Sequence, residues 1–227
     1  MAKDEQITIQ SSGKAKSARG RYTVVLLAVA VMLFAAVYLV KTYGQEMLSF
    51  LVSNERDTKA ALATDRQWAQ RLKVPGVENL HRVSEGLYRG AQPTKEGMQQ
   101  LKELGIKTIV NLRSFHSDHG EIGDTGLSYE HICMKTWHAE DKEVVRFLKI
   151  TTDPNRTPAF VHCQRGADRT GTMCAIYRIA VQGWSKDEAI TEMIKGGFGF
   201  YTGWQNLIDY IRELDIEKIK RSEDLKN

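Results

Sequence analysis

The sequence predicts an α/β fold, a mostly parallel central sheet flanked by helices, preceded by one transmembrane helix. Three observations predict it. From about Val74 onward, short apolar runs alternate with stretches of helical period, the pattern of strands linked by crossover helices. The apolar run Ala159 to His162 leads through a short glycine-containing loop into a strong helical segment. Upstream, the 19 residues from Tyr22 to Val40 carry no charge, and at 1.5 Å per residue they would span about 28 Å as a helix, close to a bilayer's hydrocarbon thickness.

Taken in order, residues 1–21 form a basic tail with five Lys/Arg against two acids. The remaining residues hold 27 basic against 26 acidic side chains, so the body of the protein has no nucleic-acid footprint. Residues 22–43 read as the transmembrane helix, because the segment lacks the polar stripe of a core helix and places Tyr22, Tyr38 and Tyr43 near its ends. Lys3, Lys14, Lys16, Arg19 and Arg21 precede it, and only Lys41, Arg56 and Lys59 follow closely. By the positive-inside rule the chain is a single-pass membrane protein with its body on the periplasmic or extracytoplasmic side. Residues 44–73, rich in Ala, Gln, Glu and Arg, read as a helical stalk that Pro75-Gly76 stops. Residues 74–227 form the folded domain.

Within that domain Leu87 to Gly90 reads as a strand and Thr94 to Leu104 as a helix closed by Gly105. Thr108 to Leu112 and Ser128 to Met134 read as buried strands. The segment Asp141 to Thr152 is helical, with Val144, Val145, Leu148 and Ile150 at apolar positions. Ala159 to His162 is a strand, and Thr170 to Gln182 a helix closed by Gly183. Ser185 to Glu188 is a capping box opening the next helix, and a last helix starts near Trp204. The glycine-rich Gly196 to Gly199 reads as a turn, and the polar stretch Ser114 to Thr125 as a mobile, solvated loop beside the site. Three cysteines, at 133, 163 and 174, and the absence of any CxxC pair exclude a disulfide framework and a structural zinc site. Cys133, on a strand, and Cys174, in a helix, read as core residues.

The chemistry gathers where the strand ending at His162 meets the helix beginning at Thr170. A loop between a strand's carboxyl end and a helix's amino end aims backbone N–H groups at one point, and the helix dipole favours an anion there. Cys163 opens this loop, followed by Gln164, Arg165, Gly166, Ala167, Asp168, Arg169 and Thr170. Its thiolate would be stabilised by the same donors, and Arg169 offers a planar fork to two oxygens of a phosphate. Gly166 allows the tight turn. Asp168 is an acid beside an anion site, so its side chain is expected to turn outward, toward a basic group on the substrate.

The motif HCxxGxxRTG resembles the loop of the cysteine-dependent dual-specificity protein tyrosine phosphatases. The resemblance runs from about Leu80 to Tyr210 and includes GLYRGAQPT at 86–94, LGIKTIVNLR at 104–113 and YRIAVQGWSKDEAITEMIKGGFG at 177–199. It is closest to bacterial periplasmic tyrosine phosphatases, and the loop is similar to fungal and plant atypical phosphatases acting on inositol pyrophosphates. The resemblance implies hydrolysis of phosphate monoesters through a phosphocysteine, without metal or other cofactor. Cys163 is the implied nucleophile. Residues 164–170 hold the phosphoryl oxygens, and Thr170 helps expel the thiolate. His162 matches the family's loop-orienting histidine and equally fits a satisfied core histidine. The general acid is expected from the loop Lys135 to Asp141, with Asp141 ahead of Glu140, Asp118 and Asp124. Asp141 also fits a first-turn helix acid. The expected substrate is a phosphorylated protein, with a lipid phosphate or inositol phosphate as the alternative and a non-catalytic phosphate-binding protein as the third reading.

Overall fold

In this computed structural model residues 31–34, 37–49 and 66–222 are described. The chain divides into two units, Met1–Asp65 and Arg66–Asn227. In the first, residues 31–34 and 37–49 are helical, while 22–30, 35 and 36 of the expected span lie outside the described residues. Among the described residues, no helix is long and apolar enough to cross a membrane. The helix over 37–49 carries Lys41, Gln45 and Glu46, which break its apolar character. The transmembrane helix, and the single-pass extracytoplasmic placement that rested on it, are therefore corrected.

The second unit is a three-layer α/β/α sandwich around a six-stranded sheet of order β1-β2-β3-β6-β4-β5. Its strands are β1 (Gln70–Arg71), β2 (His81–Arg82), β3 (Leu87–Gly90), β4 (Thr108–Asn111), β5 (Ser128–His131) and β6 (Ala159–His162). The last four are mutually parallel, and β1 and β2 add an antiparallel edge. The end of the expected stalk differs as a result. Gln70 and Arg71 are extended and pair with Arg82 and His81, because sheet pairing overrides their helical propensity.

Alternation along the strands builds the two cores. Ala159 and Val161 of β6 join Leu87, Val110 and Cys163 on one face, and Phe160 joins Ile109 on the other. Helix α1 (Lys95–Glu103) and the short α2 (His119–Ile122) cover the Phe160 face. Helices α3 (Asp141–Thr152), α4 (Asp168–Ala180), α5 (Lys186–Lys195), α6 (Gln205–Glu213) and α7 (Ile216–Arg221) cover the other. Helix α4 is buried on nearly every side, so its amino end is fixed by the core. The Ser185–Glu188 capping box forms as the sequence predicts: the Glu188 N–H donates to Ser185 Oγ (3.2 Å) and the Ser185 N–H to Glu188 Oε2 (2.7 Å).

One buried ion pair joins four segments of this unit. Arg178 of α4 donates to both Glu192 oxygens of α5 (2.7 and 2.6 Å) and to the Val83 carbonyl (3.0 Å). Its guanidinium lies 4.2 Å from the centre of the Trp184 ring, and Glu192 also accepts from the Ala69 N–H (2.7 Å). Removing one partner of such a pair strands a buried charge. Glu192→Gln is expected to lower unfolding free energy by about 3–5 kcal/mol, measured by urea titration.

Candidate active site

Strand β6 is central and fully buried. It stops at His162 because the loop Cys163–Ala167 turns the chain into α4. Three consecutive carbonyls of that loop are held from outside. Gln164 O accepts from the Gln92 N–H (3.3 Å), Arg165 O from Asn79 Nδ2 (3.0 Å), and Gly166 O from Arg89 Nη2 (2.8 Å). In a planar trans peptide the N–H points opposite to the C=O. Outward carbonyls therefore turn the N–H groups of Arg165, Gly166 and Ala167 inward, toward one point.

Gly166 makes this possible. Its φ is +67°, and a Cβ there would sit 2.3 Å from the Gly90 carbonyl carbon and 2.6 Å from the Ala91 nitrogen. The loop rests directly on the backbone at the end of β3, so no side chain fits between them.

Cys163 lies at the floor of the loop and is buried. Burial opposes its ionisation, but the Thr170 hydroxyl and amide, the Arg169 charge and the Ala167 amide outweigh it and hold the thiol below its ordinary value. Arg169 is tethered on one side, its Nη1 donating to the Leu112 (3.3 Å) and Met134 (3.5 Å) carbonyls in the segments that follow β4 and β5. Arg169 Nε is buried with no partner, as a donor turned toward a phosphate would be, whereas the Thr170 hydroxyl is turned to the Cys163 sulfur. Gln164 and Arg165 are exposed on the loop's rim, and Gly166, Ala167 and Asp168 are buried.

Asp168 turns away, as expected, but its partners belong to the protein. Its Oδ2 accepts from Arg165 Nη2 (2.8 Å) and its Oδ1 from the Tyr201 N–H (2.9 Å). It staples the loop to the segment before α6, and it shares the charge of Arg165.

His162 and Asp118 form a fully buried pair, Nε2 to Oδ2 at 2.6 Å. Asp118 Oδ1 also accepts from Gln92 Nε2 and Asn111 Nδ2, both at 3.0 Å. Burial pushes the Asp118 carboxyl up, and the His162 bond and charge with the Gln92 bond outweigh it, leaving it below the ordinary range. The solvated-loop reading of 114–125 is corrected: His119–Ile122 is helical and Asp118 is inaccessible to solvent. The remaining acid candidates scatter. Asp124 is exposed and precedes β5, on the amino-end side of the parallel strands, away from Cys163. Glu140 pairs with Lys142 at 2.6 Å. Asp141 heads α3 and accepts from Tyr210 Oη (3.0 Å) and Lys218 Nζ (3.2 Å). The core assignment holds for Cys174 and is corrected for Cys133, which is exposed between the buried Ile132 and Met134. Asn79, Arg89 and Gln92 escaped the sequence reading, although Arg89 and Gln92 lie in the YRGAQ run. A charged residue in a four-residue buried strand was the available signal.

Comparison with known proteins gives a consistent picture. Residues 76–202 match the family described as DSP-PTPase phosphatase fused to NAD+ kinase. Over 154 residues the chain is 33% identical to the dual specificity protein phosphatase TpbA of Pseudomonas aeruginosa, spanning 67% of this chain and 69% of that one. A crystal structure of a P. aeruginosa TpbA variant in complex with pTyr matches with a TM-score of 0.62 at 30% identity, over 72% of this chain and 98% of that one. The catalytic core of the PP-IP phosphatase SIW14 from S. cerevisiae matches with a TM-score of 0.59 at 26% identity, over 66% of this chain and 93% of that one.

Two outcomes follow from the geometry. Iodoacetamide labelling of the folded protein should modify Cys163 with a midpoint below the ordinary thiol value of about 8.5. Cys174, pushed by burial to about 11, should stay unmodified at neutral pH. Gly166→Ala should lower kcat/KM by about 100-fold, the scale of an ångström-sized misplacement of positioned groups, while circular dichroism stays unchanged.

Proposed function

The chain belongs to the DSP-PTPase family of dual-specificity phosphatases, and from that premise we propose that it hydrolyses phosphorylated proteins, phosphotyrosine foremost, through a phosphocysteine. One observation carries the reading: a thiol held in favour of its thiolate at the point where the inward N–H groups and the Arg169 guanidinium converge. The likeness to TpbA, including its complex with pTyr, supports the substrate.

In the first step Cys163 Sγ attacks phosphorus, the S–P bond forms, and the bond to the leaving oxygen breaks. Negative charge spreads over the three remaining phosphoryl oxygens, where the loop amides and Arg169 stabilise it without reorganising. In the second step water attacks phosphorus and the S–P bond breaks. Inorganic phosphate leaves, and the Thr170 hydroxyl donates to the departing thiolate.

The proton for the leaving oxygen is assigned to the loop 135–141, and within it to Asp141, which follows the carboxyl end of β5 as Cys163 follows that of β6. To donate, its carboxyl must turn from Tyr210 and Lys218. Glu140 is the loop's other carboxylate. In Asp141→Asn, a general acid makes kcat fall steeply for leaving groups of high pKa and hardly for those of low pKa. An equal loss for all leaving groups, with a lowered Tm, would assign Asp141 to its tie with Tyr210 alone.

A second reading rests on a groove of about 900 Å³ beside the loop, lined in part by Arg71, Lys73, Gln164 and Arg165. Its three cations suit a substrate with several phosphates, as the likeness to a PP-IP phosphatase also does. Glu78 shares the groove and Asp168 holds Arg165, which tempers its charge and favours the phosphoprotein. Phosphotyrosine peptides should exceed inositol pyrophosphates in kcat/KM, and the reverse order would establish the second reading. Cys163→Ser should abolish turnover and keep affinity for inorganic phosphate; retention of even about a tenth of kcat would exclude a phosphocysteine.

A further inference from the structure

Two arginines are buried beneath this site, and they are treated differently. Arg178 has both Glu192 oxygens as partners. Arg89, only 2% exposed, has no ion pair among the described residues. Its one hydrogen bond goes to Gly166 O at 2.8 Å, and its Nε is buried without a partner. The other support is the face of Phe198, 4.0 Å from the guanidinium carbon. An aromatic face offers a buried cation a weak attraction, far short of a carboxylate's.

A buried charge without a counter-charge is costly, and folded proteins avoid it unless something answers it. The sheet register identifies what does. Arg89 pairs with Val161, and alternation puts both on the face that carries Cys163. Cys163 lies two residues, about 7 Å, further along that face. Other charges nearby leave the excess standing. Glu192 is engaged by Arg178 and the Ala69 N–H. His81, edge-on to Phe198 at 4.8 Å, is held toward its neutral form by burial and by Arg89 itself. Cys174 is held neutral by burial. Asp118 is spent on His162, and Asp168 on Arg165 and Tyr201.

We propose that Arg89 is a positioning residue for hydrolysis: a buried, unpaired cation beneath the phosphate loop whose counter-charge is the anion gathered at Cys163. It acts through the loop, and Arg169 remains the arginine that touches the phosphate. One guanidinium thus does two things. It pins Gly166 O outward, and it raises the potential at the sulfur and at the phosphoryl group. This rests on the reading that Cys163 works as a thiolate.

The test uses the full-length protein with Arg89→Met, Arg89→Gln and Arg89→Lys. The Met variant removes charge and donor, Gln keeps a donor for Gly166 O, and Lys keeps the charge. The readouts are the pH midpoint of iodoacetamide labelling at Cys163 by mass spectrometry, the inhibition constant of inorganic phosphate, and Tm. The neutral variants should raise the labelling midpoint by about one pH unit or more, a tenfold change in the thiolate equilibrium. They should also weaken phosphate binding about tenfold, with the Lys variant near wild type in its midpoint. If Met does not fold, Gln is read in its place. If neither folds, a Lys variant with a raised midpoint overturns the proposal and one at the wild-type midpoint upholds it. A folded neutral variant with an unchanged midpoint, whatever its Tm, overturns the proposal and reduces Arg89 to a structural tie. A wild-type midpoint at the ordinary thiol value would instead overturn the thiolate reading itself.

Discussion

The site depends on the planarity of three consecutive peptide units. A loop between a strand and a helix does not by itself direct its amides anywhere, since each peptide can flip. Here the outward choice is imposed by donors that come from other parts of the chain: the Gln92 N–H, Asn79 Nδ2 and Arg89 Nη2. Once the carbonyls are taken, the amides have one direction left. Arg89 and Gln92 are fixed in turn by the parallel pairing of β3 with β6, which lays Gly90 beside His162 and brings Ala91 and Gln92 alongside the loop. Asn79 is fixed by the pairing of β2 with β3 and the Ala91 N–H bond to the Glu78 carbonyl. The strand order is thus part of the chemistry. A central β6 lets β3 hold the loop's back while the segments that follow β4 and β5 tether Arg169 from its far side.

The second constraint is electrostatic. A site that binds a dianion must collect positive charge and dispose of its own acids. Asp168 and Asp118 lie within a residue or a hydrogen bond of the loop, and neither faces the phosphate position. Asp168 is turned into Arg165 and the Tyr201 N–H, and Asp118 into His162, Gln92 and Asn111. The same bonds do structural work, because each acid ties the loop to a segment remote in sequence. Asp168 reaches the strap before α6, and Asp118 reaches the end of β4.

What was legible in the sequence follows from locality. Cys163 to Thr170 could be read because strand, glycine, arginine and helix follow one another within a dozen residues, and local order dictates local geometry. The alternation of strands and helices was legible for the same reason. The donors that orient the loop were not, because Asn79, Arg89 and Gln92 lie more than 70 residues from it and only the pairing of β2 and β3 beside β6 brings them close. Asp118 looked like one polar residue among several in 114–125, and nothing local announces that its carboxylate is wholly buried. Cys133 was misread because alternation buries Ile132 and Met134 on either side of it and leaves its own side chain outward. The uncharged run from Tyr22 failed differently: hydropathy sees an apolar window, whereas among the described residues no helix is long and apolar enough to cross a membrane.

Asp141 illustrates how one position can satisfy two local rules and still be decided by tertiary contacts. Its place at the head of α3 suits a first-turn acid, and its place after β5 suits an acid beside the loop. The contacts that hold it come from α6 and α7. Asn206, one turn before Tyr210 on α6, reaches the Trp137 carbonyl of the same loop. The two ties clamp the 135–141 segment against α6 at both ends. Its reach toward Cys163 is therefore set by how α6 packs on α4, where Leu207, Ile208 and Ile211 are buried against the core around Met173 and Ile176. A substitution in that core would move the loop without touching any residue of the site. Under the general-acid role proposed for Asp141, leaving-group dependence and core packing are for this reason coupled.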